Sequence, residues 1–483
     1  MRESGLPGLN RRGFLAVGAA TAVVAFDPAG LGWISQAQAD EGATGTRVPP
    51  LDGELVTDDA ALSEAAEDYG QIVHDRPRAV LRPGSVRDIQ KIVRFACANG
   101  LSVAVRGQGH SVFGQAQVKA GVVIDSRTLA RIHSVGRDRA VVDAGVTWSA
   151  LFTAALAAGV TPPVATDYIG LSVGGTLSVG GIGGATSHHG LQVDTVLALE
   201  VVTGTGELVG CSRTENRDLF DVVLGGLGQY GLIVRATLRV IPAPATARVY
   251  RLSYTDLTDL TAAQRTALAD GRFSYLEGQV APTETGWGYV LEGVAYFSGQ
   301  SPDDATLLRG LPAPAATDIA ELPYFAWLDR LTALVDQLRP LRFPNPWLNL
   351  FLPDAVTDRY VADLLADLSP ADVGGPILLY PVPRRRLTRP LVAVPDSDVV
   401  FLLSVLRVVA PPNPDTVNRL IADNRAAYVD AVALGATQYP IGAIPVSPAE
   451  WAAHYGAQYP RARRAKARFD PHGVLTPGQK IFP

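Results

Sequence analysis

Two cysteines in 483 residues leave little room for thiol chemistry. Neither Cys97 nor Cys211 has a histidine or second cysteine at ligand spacing, so a metal site has no support. One bridge between them stays open if the chain is exported, although both fall in patterns typical of buried apolar residues. A basic surplus is missing too: 42 Lys and Arg stand against 47 Asp and Glu, which argues against a nucleic-acid binder. No internal repeat or low-complexity tract occurs. No apolar run reaches the roughly 20 residues of a membrane span, so stable membrane insertion is not expected.

What remains is an ordinary globular composition, 47% hydrophobic and 18% charged. At roughly 150 residues per domain, the length predicts two or three domains. Arg11-Arg12-Gly13-Phe14-Leu15 precede an apolar stretch from Ala16 to Phe26, and Ala37-Gln38-Ala39 offer small residues for cleavage. Residues 1–39 therefore read as a twin-arginine signal, handing a folded chain to the twin-arginine export machinery and placing it outside the cytoplasmic membrane. The rest divides into a lead-in at 40–74, a first domain at 75–245, a second at 246–436, and a segment at 437–483 that returns to the first.

From Arg78 to Pro242 helix and strand signals alternate. Ile89, Ile92, Val93 and Ala96 have helical spacing, and a second helix over Trp148–Ala157 carries Thr147 as its cap. Strands are predicted at Val122–Asp125, Ala140–Ala144 and Leu197–Val202, the last turning through Gly204-Thr205-Gly206 into Glu207–Cys211. No acidic residue follows the first glycine run at the spacing of a dinucleotide-binding βαβ unit. After Pro242-Ala243-Pro244 the character changes, with strand-like Phe273–Val280 and Trp287–Tyr296 followed by Pro-rich loops and helical stretches.

Three glycine-bearing segments carry the chemistry. Arg106-Gly107-Gln108-Gly109-His110-Ser111 follows a strand-like run. Its glycines let successive amides turn inward as an anion nest, with His110 beside whatever is bound. The segment Ser172–Gly184, led by Asp167-Tyr168, is dense in Gly and Ser and is not expected to form a regular helix. Val173, Leu177, Val179 and Ile182 must hold it in place, which favours a second cradle over a linker. Gly225–Gly231 closes a helix and opens a strand. Together they suggest a flavin site.

These segments, with Thr166-Asp167-Tyr168, Asn345-Pro346-Trp347-Leu348-Asn349-Leu350-Phe351 and Pro477-Gly478-Gln479, resemble cytokinin dehydrogenases, a branch of the vanillyl-alcohol-oxidase class. The resemblance runs from about residue 75 to the C-terminus. It implies an α+β chain with a PCMH-type fold: a discontinuous FAD domain and a substrate domain built on an antiparallel sheet flanked by helices. It also implies FAD bound covalently through His110. Gly107, Gln108, Gly109, Ser111 and Gln115 would line the cofactor, with Asp167, Ser172, Ser178, Ile182 and Ile233 meeting it from the later segments. Tyr439, Thr476 and Gln479 would be its C-terminal contacts. None of residues 167–184 is Cys, so the second, cysteinyl link of some relatives is not expected.

Asp167 would accept a hydrogen bond or proton from a substrate amine while the adjacent C–H gives up hydride. Glu277 would be the second acid of the pocket. The reaction so implied oxidises an N6-isoprenoid adenine to adenine and an aldehyde through an imine, with a quinone or oxygen taking the electrons. Two departures bear on the substrate. Val382-Pro383-Arg384-Arg385 stands where the family has a Trp-Asp pair, and Gln438-Tyr439-Pro440-Ile441 stands at its Tyr-Leu-Pro segment. A berberine-bridge-like carbohydrate or alcohol oxidase and a non-catalytic flavin electron carrier stay open as alternatives. His188-His189, Arg384–Arg386 and Arg461–Arg468 read as structural or solvated.

Overall fold

In a computed structural model, residues 23–483 are described apart from Leu31, Thr285, Thr476, Pro477, Gln479 and Pro483. Arg11 and Arg12, and the expected cofactor contacts Thr476 and Gln479, lie outside the described residues.

Strands Ala79–Arg82, Val122–Asp125 and Val103–Arg106 form a parallel set, with Glu54–Val56 antiparallel at its edge. Helix Val86–Ala98 carries the chain from Ala79–Arg82 across to Val103–Arg106, and Val122–Asp125 then pairs parallel between the two. Ile89, Ile92, Val93 and Ala96 are its buried stripe, as their spacing predicts. Asp88 on the same helix is buried and accepts from the amides of Asp52, Gly53 and Gly84, which pins the preceding loops. A second, antiparallel sheet has the order Leu208–Ser212, Val196–Val202, Leu232–Arg239, Arg139–Asp143, Ile132–Val135. Helix Trp148–Ala157 packs beside it, and the Thr147 hydroxyl accepts from Ala150 N at 3.2 Å.

The second domain is an eight-stranded antiparallel sheet whose strands run from Thr246 to Gln438. Side-chain alternation splits it into two apolar faces. Leu348, Leu350, Leu352, Leu403 and Val405 join the core beneath helices such as Leu257–Asp270 and Asp354–Asp367. Phe351, Tyr380, Val400 and Leu402, pointing the other way, join the core of the first domain. Tyr275 faces the first domain while Leu276 faces the helices, so Glu277, two residues on from Tyr275, is presented toward the first domain. The C-terminal helix Tyr459–Phe469 packs back on the first domain: Lys466 donates to Gln229 O at 3.0 Å, and Leu475 bridges to Val103.

Two findings go beyond the sequence reading. Within the stretch read as a signal segment, Val23–Asp27 and Gly32–Ser35 form strands of a small sheet. Phe26 is fully buried there, 4.8 Å from Trp33 and 6.5 Å from Phe95 by ring centroids; an apolar seat on helix Val86–Ala98 holds them. The Gly-rich segment also contains one helical turn, Val173–Leu177. Its two apolar residues, four apart, both reach the core and give that turn an anchor.

Candidate active site

The loop after strand Val103–Arg106 is held from behind. Its carbonyls at Gly109 and Ser111 accept from the amides of Tyr69 (2.9 Å) and Gly70 (3.1 Å). Gln115 accepts from the amides of Val112 and Phe113 and donates to Gly442 O at 3.0 Å, tying the loop to the C-terminal segment. Buried Asp68 accepts from the amides of Gly70 and Gly114; burial pushes its carboxyl up to about 7. The amides of Gln108, Gly109, His110 and Ser111 donate to no group among the described residues.

Four consecutive free donors form a nest for an anion, the requirement of a cofactor phosphate. Gly109 has φ +62°, favourable for glycine, and a Cβ at Gly107 would lie 2.0 Å from Ser172 Oγ. The backbone comes that close only without side chains.

His110 stands at the edge of this nest in an aromatic cage. Its ring lies 4.3 Å from Tyr69, 5.1 Å from Tyr168 and 5.8 Å from Trp347. Burial and the charge of Arg339 push the imidazole down to about 3, so it is neutral near pH 7. Arg339 donates to Gln108 O at 3.0 Å and approaches His110 Nδ1 at 3.4 Å. That contact makes Nδ1 the lone-pair nitrogen and leaves the proton on Nε2. A cavity of about 170 Å³, lined in part by Asp68, Tyr69, Gly109 and Arg339, opens here.

The second segment packs face to face with the third: Gly225 N and Leu227 N donate to Leu177 O and Ser178 O. Ser172 is buried and borders Gly107. Ser178 Oγ donates within its own turn, to Gly174 O at 2.8 Å. Ile182 and Ile233 belong to the apolar wall, and Tyr439, also buried, accepts from Gly181 N at 3.0 Å. Trp347 Nε1 and both amide atoms of Asn349 are buried with no partner among the described residues. Unpaired buried groups of this kind mark where a polar ligand completes a site. The nest, the close-approach glycines and these orphaned atoms fit a flavin nucleotide.

Asp167 links this region to the substrate domain, because its neighbour Tyr168 touches the His110 ring. Gly184 has no side chain, and a Cβ there would lie 2.6 Å from the Tyr275 ring; Leu276 N donates to Gly184 O. The strand carrying Tyr275 and Glu277 thus docks on the second glycine segment. Tyr275 donates to Asp167 Oδ1 at 2.7 Å, and the Tyr380 hydroxyl contacts Asp167 Oδ2. The Tyr275 hydroxyl also contacts Glu277, whose other oxygen accepts from Gln279 Nε2 at 3.2 Å. Glu277 is 2% exposed; burial, then the charges of Asp167 and Glu292, push it up to about 8.

Asp167 and Glu277 are therefore brought together through one tyrosine. Tyr380, Arg330 and Glu292 complete the cluster and were not singled out by sequence reasoning. A Tyr-x-Glu pair on one strand face is legible in sequence, whereas nothing local marks Arg330 or Tyr380.

Fold and site together define an FAD-dependent oxidoreductase. Residues 77–212 match the family model for an FAD binding domain, and residues 287–482 match the model described as cytokinin dehydrogenase 1, FAD and cytokinin binding. Cytokinin dehydrogenase 5 of Oryza sativa subsp. japonica is 35% identical, with 89% of this chain and 91% of that protein covered. The chain belongs to the cytokinin dehydrogenase family.

A bacterial relative, the uncharacterized oxidoreductase ORF5 in the fasciation locus of Rhodococcoides fascians, is 38% identical over 88% of this chain and 98% of its own length. Among solved structures, 6-hydroxy-D-nicotine oxidase from Arthrobacter nicotinovorans superposes with a TM-score of 0.71 at 23% identity, covering 90% of this chain and 98% of that one. Xylooligosaccharide oxidase from Myceliophthora thermophila gives 0.72 at 20%, covering 89% and 97%. Both share the PCMH-type fold.

Proposed function

We propose that this enzyme oxidises the secondary amine of a cytokinin-type N6-isoprenoid adenine, giving adenine and an aldehyde through an imine. The observation that carries the reading is the Asp167–Tyr275–Glu277 cluster, joined through Tyr168 to His110. The substrate class comes from the relatives named cytokinin dehydrogenase.

The amides of Gln108–Ser111 and the His110 ring would hold and tether FAD, which would supply the hydride acceptor. Asp167 accepts the N–H proton of the bound amine as the neighbouring C–H loses hydride, which leaves a C=N bond. Water then adds to that bond and releases amine and aldehyde. Tyr275 and Tyr380 hold the Asp167 carboxylate in place during this exchange. Electrons leave to a quinone or oxygen.

Anaerobic addition of isopentenyladenine to the yellow protein tests the reading: rapid bleaching, reversed by a dye acceptor, is expected. Bleaching by oligosaccharides alone, or by no donor, would overturn it. Export by the twin-arginine route belongs to the same proposal and is supported by Arg11-Arg12. Retention of activity in the cytoplasm after Arg11→Lys with Arg12→Lys is its expected signature.

A further inference from the structure

The acid cluster contains one permanent cation that the proposed chemistry leaves without a role. Arg330 follows the short helix Tyr324–Leu328, and its guanidinium lies 3.9 Å from the Trp327 ring centroid. It donates to Asp167 Oδ1 at 3.0 Å and to the Tyr275 hydroxyl at 2.9 Å. Glu292 is its next carboxylate, at 3.9 Å, and is already held by Arg251 at 2.9 Å. Arg330 makes no ion pair with Glu277 among the described residues.

We propose, resting on the amine-oxidising reading above, that Arg330 is the positioning residue that gives the two acids opposite roles. It keeps Asp167 ionised as acceptor for the substrate N–H and leaves Glu277 as a neutral, proton-bearing partner.

Hydrogen counting supports this assignment independently. The Tyr275 hydroxyl has one proton and touches both carboxyls. Both contacts are satisfied only if one carboxyl brings its own proton. Arg330 decides which, because a cation bonded to one carboxylate of a close pair favours ionisation there. The result is a directed chain: Glu277 donates to Tyr275, and Tyr275 donates to Asp167.

Burial raises Glu292, while Arg330 and the ion pair with Arg251 draw it back down, and burial keeps Tyr275, Tyr296 and Tyr380 as neutral phenols. Burial and the neighbouring carboxylates push Glu277 toward its protonated form.

The test uses the flavin-loaded, full-length chain and its Arg330→Met and Arg330→Lys variants. Infrared spectra in the carboxylic-acid C=O region, assigned with Glu277→Gln and Asp167→Asn, read the protonation states without any substrate. At neutral pH the wild type should show one protonated acid of this pair, Glu277. Arg330→Met should add Asp167, and Arg330→Lys should remove it again. In parallel, the acid limb of the anaerobic bleaching rate should move up by about one pH unit or more in Arg330→Met and stay in place in Arg330→Lys.

Absence of the Glu277 acid band from the wild type overturns the assignment even if Arg330→Met fails to fold. So does a rate profile that is only scaled down. If the infrared pattern holds but isopentenyladenine bleaches nothing, the substrate reading fails and the division of the acids stands.

Discussion

Replacing Glu277 by glutamine should make the protein less sensitive to rising pH, and the size of the effect follows from burial. The carboxyl is 2% exposed and sits near 8 instead of its ordinary 4.5, because burial and the charges of Asp167 and Glu292 oppose ionisation. As pH rises, the unfolded chain gives up this proton first. The contribution of Glu277 is therefore fully present below about pH 4.5 and is lost as pH climbs to about 8. Within that window the loss is about 1.4 kcal/mol per pH unit, or about 4 kcal/mol between pH 5 and 8. For a chain of this length the unfolding entropy is about 1 kcal/mol per degree, so Tm should shift by about 4 °C. Glutamine keeps the shape and has no proton to lose. Melting curves of wild type and Glu277→Gln across this range should diverge by about that amount, with the variant gaining relative to wild type. Parallel curves would refute the argument that Glu277 is buried and neutral. Asp167→Asn should narrow the divergence in part, since it removes one of the charges that raise Glu277.

Three further outcomes are expected. His110→Ala should leave acid-precipitated protein colourless, with all flavin in the supernatant; a yellow pellet would mean another residue holds the cofactor. Asp167→Asn should keep its flavin content while the anaerobic bleaching rate falls by about 10²-fold or more, and an unchanged rate removes Asp167 from the chemistry. Gly107→Ala should lower flavin content and stability by about 1–3 kcal/mol, because its Cβ would lie 2.0 Å from Ser172 Oγ on a short side chain with little room to yield. Absorbance per mole of purified protein and a denaturant titration measure both.

Much of the local architecture is legible in the sequence. The helix over Trp148–Ala157, its Thr147 cap, the strand at Val122–Asp125 and the buried stripe of helix Val86–Ala98 follow from periodicity and capping chemistry. The glycine segments were readable as close-approach backbone for the same reason: few other roles demand so many residues without side chains. The helical turn at Val173–Leu177 escaped, because two core anchors outweigh the low helix propensity of Gly174 and Gly175. The seating of Phe26 and Trp33 escaped as well, since an apolar N-terminal stretch carries no sign of the surface that will receive it.

Sequence alone determined the class: the glycine turns, the histidine within the first of them and the family motifs identify an FAD enzyme, because each depends on neighbours a few residues apart. Only the tertiary structure decided which groups surround Asp167 and Glu277. Tyr275, Arg330 and Tyr380 lie 108, 163 and 213 residues from Asp167, and no local pattern encodes their meeting. Ionisation is set by burial and by charges a few ångströms away, so the surroundings that govern these carboxyls exist only where the two domains pack against each other.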